Sequence, residues 1–312
     1  GTENLFGKLM LRKWFGRRRG MSLEAFRDEI GSRIQDSAGV ARVASEGEAG
    51  LHVWHSEQQE APTTIDMTNM WKTYRAMLGD GLDTDDLLRE FTAAMAEDPD
   101  NITVEAGMLR PLIRHIDYMG LDAEIARPLF ENGENLPADH PGVWAAPFAG
   151  DLVWMAALET PGTVHPVTRK HLGALGLTGP QALERAMENE RGIAREICME
   201  DVNEAGLAAF YYGGSDAWMT PTLLAHDTLF QDMMAGNGME RCWVAHPCRE
   251  RVFFTDPRLE YAKDMMAEVV RLFITESHPQ SRLVFEVVRG RDMVSPVMVV
   301  PENGAAYLLP DE

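Results

Sequence analysis

Two apolar runs, Cys242–His246 and Arg251–Thr255, are separated by four residues, Pro247-Cys248-Arg249-Glu250. A connection that short can join only antiparallel strands, because a parallel crossover needs a dozen or more residues. The rest of the chain interleaves further strand-like runs with helical periods. Val40 to Ala44 and Leu51 to His55 alternate around Gly47 and Gly50, a second hairpin signal. Leu152 to Leu158, Leu207 to Tyr212, Leu283 to Val288, Val297 to Val300 and Ala306 to Leu309 read as further strands. Strands joined by short turns among helices predict an α+β fold: a mixed, largely antiparallel sheet covered by helices, not a doubly wound parallel sheet.

Helix signals are local and explicit. Ser22 caps a run to about Ser37 in which Leu23, Phe26, Ile30 and Ile34 recur at helical spacing. Met67 to Leu78 and Thr84 to Ala96 read as two helices around Gly79-Asp80-Gly81. Thr168 and Thr178 cap two more, the second carrying Leu183, Ala186, Met187, Ile193 and Ile197 on one face. Thr220-Pro221 opens a helix through Met234. Asp256-Pro257 opens the clearest one, with Leu259, Met266, Val270 and Phe273 on a stripe. Six prolines interrupt residues 97–150, which places a long loop or lobe junction near 118–148 in an otherwise single domain over 21–312.

Charge is unevenly placed. The first 20 residues hold six basic residues and one acid; removing them from totals of 29 and 49 leaves a body of 23 basic and 48 acidic residues, a charge of −25. Such a body repels phosphate backbones, which argues against nucleic acid as a partner. The basic leader carries Phe6, Met10 and Trp14 on one helical side, with Lys13 inside the apolar arc. It reads as a tail or leader that offers at most weak membrane-surface contact. Gly1 to Phe6 partly resembles an engineered protease-site scar, which would put a natural start at Met10 or Met21. No stretch reaches 18 consecutive apolar residues and no signal peptide is visible. Three cysteines cannot build a disulfide framework, so a reducing cytoplasm is expected.

From 150 to 256 the order of elements carries a resemblance. Asp151-Leu-Val-Trp-Met-Ala-Ala-Leu158 is followed by Pro166-Val-Thr168, Leu172 to Leu177, Ala182 to Asn189, and then Ala245-His246-Pro247-Cys248-Arg249-Glu250. This order resembles the YtpQ family of bacterial proteins, a domain of unknown function. It has an Asp-Leu strand, a threonine-capped helix, an Ala-x-x-Asn helix and a small-Pro-x-Arg-acid hairpin. The chain departs from that pattern in having Glu250 where Asp is expected. The resemblance implies the fold and a bacterial, cytoplasmic setting, and it implies no chemistry.

The catalytic candidates gather at the 246–250 hairpin. Arg249 beside Cys248 can stabilise a thiolate, and His246 is placed to act as its base. The same residues also read as a turn fixed by Pro247, with an incidental Cys and a solvated ion pair. Cys242, His246 and Cys248 have even spacing, so a straight strand puts them on one face. No fourth ligand is evident, and neither a metal nor a cofactor is expected. His52 and His55 fall on opposite faces of their strand. Ser215-Asp216 follows Gly213-Gly214 without the Gly-x-Ser-x-Gly pattern. His226 reads as a partly buried histidine with its hydrogen bonds made, and Glu188, Glu190 and Glu196 as a solvated face. No dinucleotide or phosphate-loop pattern occurs. Nineteen methionines at apolar helical positions read as core filling or as a partner groove. The expectation is a non-catalytic binding or accessory protein, with a protein as the expected partner. The alternative is a hydrolase-like enzyme using the hairpin.

Overall fold

A computed structural model describes residues 20–58, 62–79, 84–96, 103–120, 122–132, 134–137, 142–160, 164–226, 228–275, 279–291 and 294–310. Residues 1–19 of the basic leader lie outside them. The chain divides into two compact units, the first running to Thr103 and the second taking Val104–Thr160 and Val164–Glu312. The division falls near residue 103. The stretch 118–148, expected as a lobe junction, lies inside the second unit.

In the first unit α1 (Leu23–Gln35) starts at Ser22, whose Oγ accepts the Ala25 amide at 3.2 Å. It is followed by β1 (Arg42–Glu46), β2 (Gly50–Trp54), β3 (Thr63–Asp66), α2 (Thr68–Gly79) and α3 (Thr84–Ala96). The strands form one antiparallel sheet in the order β1-β2-β3. Phe26, Ile30 and Ile34 are fully buried against Leu51 and Val53, and α2 and α3 add Tyr74, Leu88 and Met95 to the same core.

The second unit begins with β4 (Leu109–His115), α4 (Asp122–Glu131), β5 (Ala146–Ala149), β6 (Leu152–Glu159) and β7 (Val164–Pro166). These strands make an antiparallel sheet with β6 between β4 and β5, and β7 also on β6. Next come α5 (Arg169–Leu175) and α6 (Gly179–Arg191). At the start of α6 Thr178 and Gln181 cap each other: the Thr178 amide donates to Oε1 at 2.9 Å, and Thr178 Oγ accepts the Gln181 amide at 3.4 Å.

The remaining elements are β8 (Ile197–Asp201), β9 (Leu207–Tyr212), a 3-10 stretch over Gly214–Ala225, α7 (Leu229–Gly236), β10 (Arg241–Cys248), β11 (Arg251–Thr255), α8 (Ala262–Phe273), β12 (Leu283–Val288), β13 (Val294–Val299) and β14 (Tyr307–Leu308). Seven of the strands form a second antiparallel sheet in the order β14-β13-β12-β10-β11-β9-β8. All described pairings are antiparallel. The fold is therefore α+β with antiparallel sheets.

Strand alternation sorts the core of this sheet. On one face Phe210, Tyr212, Val244, Val252, Phe254 and Phe285 pack with Met219 and Leu223 of the 3-10 stretch, Phe230 and Met234 of α7, and Ile113 and Leu152 from β4 and β6. On the other face Leu207, Ala209, Ala245, Phe253, Val284 and Met298 pack with Met266, Ala267, Val269 and Val270 of α8.

Three elements differ from their sequence signals. The helix expected from Pro257 begins at Ala262, because Asp256 accepts the Arg258 amide at 2.9 Å and closes a turn instead. The helix expected from Pro221 is a 3-10 stretch that stops at Ala225 before α7. Ile197 lies on edge strand β8 beside β9, not on the face of α6.

Candidate functional site

The 246–250 hairpin is the first candidate. A β-bulge between Ala245 and Cys248 shifts the register of β10 against β11. Cys242 thus joins the core on one face of the sheet and Cys248 the core on the other. The single face expected for Cys242, His246 and Cys248 is not formed. The described residues contain no group of three metal-ligating side chains. Both thiols are buried, and burial first of all pushes each up to about 12.

His246 is fully buried. Its Nδ1 lies 3.0 Å from the Arg251 carbonyl, an acceptor, so Nδ1 carries the hydrogen. Its Nε2 has no hydrogen-bond partner among the described residues. Burial, reinforced by the nearby Arg114 cation, lowers the imidazole to about 4. Arg114 is itself buried, donating to the carbonyls of Ile113 at 2.8 Å and Trp218 at 2.9 Å, and burial lowers it to about 10. Arg249 pairs with Glu250 at 3.2 Å.

Around the hairpin stands a polar chain whose members are remote from one another in sequence. The Ser281 amide donates to the His246 carbonyl at 3.0 Å and the Gln280 amide to the Pro247 carbonyl at 2.9 Å. Ser281 Oγ donates to Asp151 Oδ1 at 2.5 Å. Asp151 Oδ2 lies 3.4 Å from His115 Nε2, while His115 Nδ1 accepts the Asp117 amide at 3.2 Å. Serine and histidine both converge on the aspartate, and the hydroxyl does not bond to the imidazole. This is the bonding of a structural joint between β4, β6 and β12, not of a nucleophile and its base.

The second candidate is a cleft of about 350 Å³ at the carboxyl end of α6. Met187, Glu190 and Arg191 occupy one helical face there (i, i+3, i+4), and Trp154 of β6, Tyr212 at the end of β9 and His226 also line it. At the floor the Arg195 side chain is 5% exposed. Its Nε and Nη2 donate to Glu190 at 2.5 and 3.2 Å, and its Nη1 pairs with Asp216 at 2.5 Å. Burial opposes the Arg195 charge, but Glu190 and Asp216 outweigh it and hold the guanidinium above its ordinary value. Burial, followed by the Glu190 charge, raises the Tyr212 phenol.

No family model, curated protein or solved structure matches this chain. Function is therefore read from the two sites themselves.

Glu188 and Glu196 are exposed, as a solvated face requires, but Glu190 is not: its side chain is 17% exposed and forked onto Arg195. His226 is exposed rather than partly buried. Its Nδ1 accepts the Leu229 amide at 3.2 Å at the start of α7, which leaves the hydrogen on Nε2. Asp216 belongs to the cleft's ion pairs, not to a nucleophile turn. The one local trace of this arrangement is Glu190 and Arg195 on either side of helix-ending Gly192. Asp216 comes beside them only through the pairing of β8 with β9.

Proposed function

We propose that the chain is a non-catalytic binding protein and that the cleft beside α6 is its recognition site. The observation that carries this reading is the cleft itself. It is concave and mostly apolar, with polar groups that converge but are engaged with one another: Arg195 is held between Glu190 and Asp216. A general base needs a free lone pair aimed at a reacting proton, and a nucleophile needs such a base beside it. The hydrolase alternative draws little support from a thiol pushed up to about 12 and an imidazole lowered to about 4, both sealed in the core.

A body charge of −25 favours a protein or small-molecule partner over nucleic acid. Free thiols at Cys198, Cys242 and Cys248 suit the cytoplasm, and no helix among the described residues is long and apolar enough to cross a membrane. The YtpQ family remains our proposal for its kinship. The test is hydrolysis of p-nitrophenyl acetate and p-nitrophenyl phosphate by the purified chain. Rates equal to those of His246→Ala and Cys248→Ala variants are expected. Turnover abolished by either substitution would establish the enzyme.

A further inference from the structure

We infer that the cleft beside α6 takes a small organic cation with an apolar body, an alkylated amine or quaternary ammonium. This rests on the binding reading above and specifies its ligand.

Three features set the sign of the ligand. Glu190 and Arg195 line the cleft, and Asp216 holds Arg195 from behind that lining, so two carboxylates face one guanidinium. Glu190 and Asp216 share Arg195, so the group carries a net charge of −1; Arg195 and Glu190 are largely withdrawn from water and Asp216 is about a third exposed. Second, the cleft lies at the carboxyl end of α6, a helix of 13 residues whose last turn supplies Glu190 and Arg191 to the wall. A helix presents the equivalent of about half a negative charge at that end. Third, the aromatic side chains of Trp154 and Tyr212 line the same space. Aromatic faces attract cations, most strongly where water is excluded.

The apolar body follows from the remaining wall, where Pro111, Met187, Ile193 and Ile197 offer no hydrogen bonds from their side chains. The opposing group is Arg191, whose positive charge also borders the cleft. It is exposed, so water and salt screen it, whereas the floor is screened far less. Its position makes it the natural discriminator: it repels a bound cation and would hold a bound anion.

Isothermal titration of the whole chain with benzyltrimethylammonium, neopentylbenzene and phenylacetate tests the inference. The first two probes share a shape and differ in charge; the third reverses the sign. Benzyltrimethylammonium should bind most tightly. Trp154→Leu should weaken it about three- to tenfold through loss of the aromatic face. Glu190→Gln should weaken it about tenfold by removing the excess charge. Arg191→Ala, at an exposed site, should raise its affinity by removing the opposing charge.

Phenylacetate binding lost in Arg191→Ala would overturn the cation and leave the binding reading in place. Equal affinity for the charged and neutral isosteres would do the same. Failure of all three probes would overturn the inference, while the hydrolysis assay decides the binding reading separately.

Discussion

Cys242 and Cys248, six residues apart on β10, face opposite sides of the seven-stranded sheet. The bulge after Ala245 adds a residue to one strand of the β10–β11 pair, and each added residue reverses the direction of every side chain beyond it. Each thiol is thereby enclosed by a different core, and burial holds both protonated. Cys198 on edge strand β8 is partly exposed. A disulfide reagent such as dithionitrobenzoate should therefore label one thiol per native chain and three in guanidinium. Fast labelling of Cys248 in the native chain would mean that the hairpin opens readily.

The Arg195 ion pairs should matter for stability. Arg195→Met leaves Glu190 and Asp216 facing each other without a cation. The expected loss is about 2–3 kcal/mol, below the roughly 3–5 of a fully buried pair because Asp216 is about a third exposed. Urea unfolding measures it, and a loss under about 0.5 kcal/mol would show that the cluster is a surface network.

These two sites differ in how far the sequence exposes them. Hairpin β10–β11 is plain because its turn is four residues long and its flanks are apolar, and the caps at Ser22 and Thr178 are plain because they are local. The bulge shows only as Pro247, which cannot donate to the ladder of a central strand and so signals an irregularity, but does not tell which side chains it turns over. The cleft is not plain. Glu190 lies on what reads as a solvated helix face, and only the pairing of β8 with β9 brings Asp216 to it. Residues 97–150 hid β4 because Pro111 sits inside it, directly opposite Ala156 of β6.

His246 should give the fold an acid-sensitive step. Its imidazole titrates near 4 when folded against an ordinary 6.5, so between those values the unfolded chain binds more protons. Stability contributed by the neutral ring is complete above about pH 6.5 and is lost as pH falls toward 4, by about 3 kcal/mol in all. Unfolding free energies from pH 7 to pH 4.5 should fall less steeply in His246→Asn than in the parent. Parallel curves would show that His246 is not the titrating group.

Helix α8 should carry the far face of the sheet. Met266 is fully buried among Phe253, Val284 and Met298, so Met266→Ala should cost about 2–5 kcal/mol in lost transfer energy and cavity formation. Phe273 is only partly buried, packed on Phe253 at 4.7 Å. Glu260 is exposed in the turn before α8, so Glu260→Ala should change stability by under about 0.5 kcal/mol. Equal effects at Met266 and Glu260 in urea unfolding would make α8 peripheral.

On the proposed binding function, recognition occurs at the cleft beside α6 and not at the 246–250 hairpin. Nuclear magnetic resonance of the chain labelled at methionine methyls and tryptophan indoles reads both places at once. Met187 and Trp154 report the cleft, while Trp243, paired through its indole with Glu286 at 3.3 Å, reports the sheet around β10. Titration with benzyltrimethylammonium should shift Met187 and Trp154 in a saturable way and leave Trp243 in place. Saturable shifts at Trp243, with Met187 and Trp154 unmoved, would contradict the account.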